Sequence, residues 1–276
     1  MIRPAGGRSY LMTSIVWLPP LVRALATALI VVSASAVAEA LGPFWGALIT
    51  SLPVSSGPAY VFLAMQHGAD FVAASSLSSF AANAATGLLL IVYGVLGGRT
   101  SLPRSLGPAV LAWLAASLTT QQIIWTPFSA FLLNLAVYSS GIALLGAVRT
   151  AAPPPVPAAR RQWSDIPVRA VAVAAFVSLV VAVSSMLGPN GTGVATAFPI
   201  SFISLIVIVR SRIGSLASSV LAANALRPMF GFGMVLLALH LAIRPLGIVT
   251  ALVIALLVSA CWSIALLLLR RRLRLG

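Results

Sequence analysis

Apolar runs fill most of the chain, and short stretches holding arginine, proline or glycine separate them. A helix needs ~20 apolar residues to cross the ~30 Å hydrocarbon core of a bilayer. The runs have about that length and predict nine membrane-spanning helices, at 21–41, 43–65, 71–96, 106–122, 128–148, 168–187, 190–209, 213–240 and 246–269. The second is interrupted by Pro53 and by Gly57-Pro58, the seventh by Pro199. Between the fifth and sixth, Pro153-Pro154-Pro155 and Pro157 cannot continue a helix. Membrane-spanning strands would alternate apolar and polar residues, and this chain does not.

The runs also repeat. Leu41-Gly42-Pro43 recurs as Leu187-Gly188-Pro189. Seven residues after each proline stands Thr50 or Thr196, ten after it Pro53 or Pro199, and two further on Ser55 or Ser201. In the next run Ala81-Ala82-Asn83-Ala84 recurs as Ala222-Ala223-Asn224-Ala225. The same order, with matching spacing inside each motif and a separation five residues shorter in the second copy, marks an internal duplication. Each unit holds four spans, so the extra fifth span turns the second unit over, an arrangement common in secondary transporters. The expected organisation is an N-terminal segment 1–20, repeat 1 at 21–122, a connecting span 127–148, an inner linker 149–166, repeat 2 at 167–270 and a basic tail 271–276.

Composition sharpens the class. The 276 residues are 60% hydrophobic and 7% charged, too few charges for a soluble chain of this length. The net charge of +14 comes from seventeen arginines that lie mostly between or just beyond the runs. That pattern anchors topology against an anionic leaflet and needs no nucleic-acid partner. An N-out orientation puts twelve arginines inside (Arg99, Arg104, Arg149, Arg160, Arg161, Arg169, Arg210, Arg212, Arg270, Arg271, Arg272 and Arg274). Four fall outside: Arg3, Arg8, Arg23 and Arg244. No small-residue cleavage site precedes the first span, so the N-terminus is expected to be retained. Cys261, the single cysteine, lies in an apolar run and reads as a packed small residue.

Within repeat 1, the second span carries Gly46-Ala47-Leu48-Ile49-Thr50-Ser51-Leu52-Pro53. A four-span unit with such a Gly-to-Pro interrupted helix resembles the GlpM-like group of small four-helix membrane proteins. Repeat 2 departs from the pattern, with Thr192 at the glycine position and Gly193 next to it. The resemblance implies a small helical unit and little about mechanism.

Candidate chemistry sits at the interruptions. A proline removes a backbone donor and frees a carbonyl about one turn earlier, and lipid cannot satisfy it. Pro53 and Pro199 are therefore candidate site positions, with the hydroxyls of Thr50, Ser55, Thr196 and Ser201 beside them. The plainer reading is a pair of packed kinks. Asn83 and Asn224 are buried amides that either bind solute or hold helices together. Ser76, Ser79, Asn83 and Thr86 share one helix face. Arg227, three residues after Asn224, is a charge inside a span, expensive there and so a functional candidate. It could bind an anion, pair with Glu39, or be satisfied by carbonyls. His67, Asp70 and His240 read as solvated loop residues rather than metal ligands. Trp45, Trp125 and Trp163 read as interfacial anchors.

Three acidic residues and two histidines assemble no acid–base catalyst, and no phosphate-binding loop is present. No cofactor and no enzyme activity are expected. The pattern points to a multi-pass protein of the bacterial inner membrane, a transporter or permease for a small, anionic solute with a midplane site. The alternative is a structural or accessory protein supporting an envelope-polymer synthesis or export system. The first expects a polar midplane cavity, the second a dry interior of small residues. The expected partners are the bilayer and the solute, and a homo-oligomer is compatible with both readings.

Overall fold

The computed structural model describes residues 56–150 and 165–275, with residues 22, 25–29, 32 and 33. Thr50, Pro53, Ser55, Glu39, Trp45 and Trp163 lie outside the described residues. Among the described residues all regular structure is helical. The helices are α1 (Ser56–His67), α2 (Ala69–Leu96), α3 (Leu102–Gln121), α4 (Pro127–Leu144), α5 (Gly146–Thr150), α6 (Asp165–Thr196), α7 (Ile200–Arg212), α8 (Ser215–Leu246) and α9 (Ile248–Leu275).

Five stretches are long and apolar enough to cross a membrane: Ala69–Leu96, Pro127–Leu144, Ala170–Arg212, Ser215–Leu246 and Ile248–Leu269. The chain is thus a multi-pass helical membrane protein. The third stretch has 43 residues. At ~1.5 Å per residue that is about twice the hydrocarbon thickness. It is not straight. Gly188 has φ 65° and ψ −179°, a conformation open to glycine, and Pro189 follows. The turn falls where the sequence separates its sixth and seventh runs. A second interruption, at residues 197–199, parts α6 from α7. α3 is 20 residues long and is not among the five; it packs along α2.

Local chemistry explains the helix starts. Thr126 caps α4: its hydroxyl accepts from the Ser129 backbone N–H, the Ser129 hydroxyl accepts from the Thr126 N–H, and Pro127 takes a position where no donor is needed. Extended Ser101 precedes α3, whose first turn holds Pro103, so that helix begins four residues before the expected 106. α8 runs on to Leu246, past the expected end at His240, with Pro228 and Pro245 both inside it.

α2 is the centre of the bundle. It packs against α8, α3, α6, α4 and α1. In lipid no hydrophobic force drives helices together, so close approach depends on small residues and interhelical hydrogen bonds. α2 supplies both with its Ala, Ser, Asn, Thr and Gly positions. α8 lies antiparallel to it. Asp70 meets Arg244, the Ala73 carbonyl meets His240, Asn83 meets the Met229 carbonyl and Tyr93 meets Ser218. α9 packs along α8 as α3 does along α2. The outward faces carry apolar side chains, such as Leu111 and Leu118 of α3 and Val253, Leu257 and Leu268 of α9. Cys261 belongs to this surface: it is exposed and not the packed residue that its apolar surroundings suggest.

Charged groups mark the two ends. Arg210 donates to the carbonyls of Gly97 and Thr100, drawing the end of α7 to the α2–α3 turn near Arg99 and Arg104. At the other end the exposed Arg244 and Asp70 pair at 2.9 Å.

The closest approach to another helix's backbone is at Gly193, where a Cβ would lie 2.3 Å from the Ser75 carbonyl oxygen. Gly193→Ala should therefore destabilise the protein by ~1–3 kcal/mol through overpacking. Gly107→Ala, where a Cβ meets nothing within 4 Å, should be neutral or stabilising. Thermal melting of the purified variants in detergent compares the two.

Candidate functional site

The break at Ala197, Phe198 and Pro199 sits against the middle of α2. Pro199 has no N–H to give to the Ala195 carbonyl, which accepts from the Phe198 N–H instead at 3.1 Å. The Ala197 carbonyl accepts from Thr86 Oγ1 at 3.2 Å. The Gly193 carbonyl accepts from the Ala197 N–H at 3.2 Å, from Thr196 Oγ1 at 2.8 Å and from Ser79 Oγ. Pro199 caps α7, its carbonyl taking the N–H groups of Phe202 and Ile203. The break is thus satisfied by two hydroxyls of α2 and by its own backbone, as lipid surroundings require.

A second layer of polar groups lies along α2. Buried Tyr60 of α1 meets Ser79 at 2.5 Å. Asn83 is 1% exposed and donates to Asn134 Oδ1 at 3.0 Å and to the Met229 carbonyl at 3.1 Å. Asn134 in turn donates to the carbonyls of Phe80 and Ala130. Tyr138 donates to the Asn83 carbonyl, and the Trp113 indole donates to Thr86. Asn83 thus joins α2, α4 and α8.

The sequence-based candidates separate accordingly. Thr196 and Pro199 stand at the break, and Asn83 lies on the same length of α2. Ser201 is partly buried just beyond the break, its carbonyl taking the Ser204 hydroxyl. Asn224 is partly buried and donates to Val220 of its own helix, 2.9 Å away. Arg227 is partly buried, and its carbonyl accepts from Trp262 of α9 at 3.1 Å. The two repeat asparagines therefore do different work.

Sequence reasoning passed over Asn134, Tyr138, Tyr60 and Arg210. Asn134 and Tyr138 did leave a signal, two polar-tipped residues four apart on one face of an apolar run. The histidines differ from the solvated loop residues expected of them. His67 Nε2 lies 2.7 Å from Ser184 Oγ, and its ring stacks on Phe71 at 3.9 Å. His240 Nδ1 lies 2.7 Å from the Ala73 carbonyl and so carries the proton there. Both reach across to a neighbouring helix. Among the described residues no three His, Cys, Asp or Glu side chains gather as a metal site.

A cavity of about 220 Å³ opens near the C-terminal end of α3. Ser78, Gln121, Gln122, Trp125, Asn190 and Val194 are in its wall, with Ser78 donating to Asn190 at 2.9 Å.

A polytopic helical membrane protein with a broken helix held by hydroxyls is the class that these features define. Compared with family models, curated proteins and solved structures, the chain matches none.

Thr86 serves the break and Trp113 at once, at 2% exposure. Thr86→Val should lower stability by about 1 kcal/mol, two interhelical bonds at ~0.6 kcal/mol each. Thr86→Ser should stay near wild type. Melting in detergent reads the difference, and an unchanged Val variant would mean that these bonds contribute nothing.

Proposed function

We propose that the chain is a transporter of the bacterial inner membrane, built from two inverted four-helix units, that moves a small anionic solute past the break between α6 and α7. The observation that carries this reading is the interruption at 197–199, midway between the turn at Gly188 and the end of α7 at Arg212 and lined by hydroxyls of α2. Broken helices of this kind place backbone dipoles where a solute or ion can meet them.

Three features support the inverted repeat. Gly68 (φ 83°, ψ −175°) starts α2 and Gly214 (φ 117°, ψ 176°) starts α8; they are 146 residues apart, as are Pro53 and Pro199. The tryptophan of the following helix donates to the residue three after the repeat asparagine: Trp113 to the Thr86 hydroxyl, Trp262 to the Arg227 carbonyl. The corresponding helices α2 and α8 run antiparallel, as units of opposite orientation would place them. The nine-span, N-out topology follows from the arginine distribution.

Within this reading Arg227 is the anion ligand. It stands in the middle of α8, at the position that Thr86 holds in the first unit, and a charge there is costly unless it serves a purpose. Thr196, Pro199, Ser201, Asn83 and Asn224 join it in the site, as do, by sequence correspondence alone, Thr50, Pro53 and Ser55, which lie outside the described residues.

The density of the interior favours a second reading, an accessory membrane protein for an envelope-polymer system. A Cβ at Gly231 would lie 2.1 Å from the Trp262 ring, one at Gly233 2.9 Å from the Asn83 amide. The cavity lies near the end of α3 and not at the break.

Inversion is tested by cysteines at the exposed positions Gln66 and Ser211 in a Cys261→Ser background. Gln66→Cys should react with an impermeant reagent in intact cells, and Ser211→Cys only after lysis. Labelling of both from one side would contradict the inverted repeat.

Transport is tested in proteoliposomes with radiolabelled acetate, lactate, succinate and phosphate. Uptake of at least one above protein-free vesicles is expected. Arg227→Ala should abolish it with the fold intact, and Arg227→Lys should impair it through loss of the two-donor grip. No uptake of any of the four puts the accessory reading ahead.

A further inference from the structure

Five oxygens from three separate segments converge beside the helix break. They are the hydroxyls of Tyr60 (α1), Ser79 (α2) and Thr196 (α6), and the carbonyls of Ser75 and Gly193. The Tyr60 hydroxyl lies 2.5 Å from Ser79 Oγ, 3.3 Å from the Ser75 carbonyl and 3.5 Å from Thr196 Oγ1. Ser79 and Thr196 are 2.8 Å apart, and both donate to the Gly193 carbonyl. Tyr60, Ser79 and Thr196 are 3%, 1% and 8% exposed. We propose that this cluster is a binding site for a dehydrated monovalent cation of sodium size.

The chemistry of the donors sets the class of ion. Hard cations take oxygen ligands, and carbonyls with hydroxyls can replace a hydration shell. No carboxylate is among the five, so a divalent ion would keep its charge uncompensated in a low-dielectric interior, at a prohibitive cost. A single charge can be met by neutral dipoles alone, as at the unwound helices of ion-coupled transporters.

The protons can be accommodated. Thr196 can turn its proton to the Thr192 carbonyl at 3.1 Å, and Tyr60 can turn its own to the Ser75 carbonyl at 3.3 Å. Lone pairs of Tyr60, Thr196 and the Gly193 carbonyl then face inward with Ser79. Sodium is close to calcium in size, so its oxygens would stand ~2.4 Å from the ion and ~3.4 Å from one another in octahedral geometry. The three hydroxyls stand 2.5–3.5 Å apart, at hydrogen-bond distances, so an entering ion would replace these bonds and spread the oxygens. Ser75 adds a buried hydroxyl with no protein partner to the same turn of α2.

Two further features fit. A Cβ at 193 would lie 2.3 Å from the Ser75 carbonyl oxygen, so only glycine lets α6 come this close to the cluster's turn of α2. The cavity near α3 draws on the same two helices: Ser78 in its wall is next in sequence to Ser79, and Val194 to Gly193.

The site rests on oxygen geometry and stands apart from the transport reading; within that reading it supplies the coupling ion. Purified full-length protein in detergent is assayed for radioactive sodium binding by scintillation proximity. Its melting is followed in NaCl, KCl and choline chloride at one ionic strength. Saturable binding is expected, displaced by unlabelled Na⁺ and weakly by K⁺, with a melting temperature that rises with Na⁺ and not with choline. Thr196→Val and Tyr60→Phe should each weaken binding about tenfold, while Ser139→Ala, an exposed hydroxyl bonded within its own helix, should not. Tyr60→Phe keeps the ring and, with gel filtration, separates loss of a ligand from loss of fold. Absence of saturable sodium binding in the wild type, a cluster holding only water or its own hydrogen bonds, overturns the proposal. So does binding that survives both substitutions. Sodium binding without uptake of any anion leaves this site standing and removes the transport reading; anion uptake without sodium binding does the reverse.

Discussion

In hydrocarbon, a backbone group that loses its helical partner must find another inside the protein. Much of this structure follows from that requirement acting at Pro199. The proline takes one donor out of the ladder, and the adjoining turn opens. Thr86 of α2 meets the Ala197 carbonyl at the opening, and Ser79 of α2 adds a further bond to the Gly193 carbonyl. α2 must therefore pass close to the break, which explains its small side chains at the crossing, with Gly193 against Ser75. The same small residues let α4, α6 and α8 approach its other sides, so the least bulky helix becomes the most enclosed one. Of its most apolar window 72% is buried, against 17% for that of α9.

The polar groups that result are not scattered. They follow one another along α2 as three hydrogen-bonded groups: Tyr60 with Ser79, then Asn83 with Asn134 and Tyr138, then Thr86 with Trp113. Each is satisfied by a different helix. A bundle that lacks a hydrophobic drive for association gains its mutual orientation from such specific pairs. Two apolar clusters flank the line, one around Leu63, Phe80 and Leu236, the other around Leu89, Trp113 and Ile206.

What could be read in the chain beforehand was local. Length and apolarity are properties of a single run, so the helices from Phe71 onward were legible, with ends displaced by up to six residues. The turns at Gly188 and Pro199 were legible because glycine and proline restrict their own backbone. Partnerships were not legible. Thr86 and Ala197 are 111 residues apart, Asn83 and Met229 146, His67 and Ser184 117. No spacing rule links them, and only the folded bundle brings them together. The repeat was a partial guide: it marked Asn83 and Asn224 as equivalent, yet one is held by two other helices and the other by its own turn. A recurring tetrapeptide fixes neither where its asparagine falls in a helix, fifteenth in α2 and tenth in α8, nor the neighbours around it. Cys261 failed for a related reason, since apolar surroundings in sequence do not distinguish a buried face from a lipid-facing one.

Arg210 adds a mechanical consequence. Its guanidinium ties the far end of α7 to the carbonyls of Gly97 and Thr100 and touches Tyr93. Across the break, the last turns of α6 are wedged by Gly193 against α2. The broken span is therefore clamped at both extremities and compliant only at its centre. Any displacement of one half must appear as bending at Ala197–Pro199, and the Thr86 contact is the first to stretch. The element behaves as a pinned beam with one soft joint, and that joint lies beside the densest set of hydroxyls described in the protein.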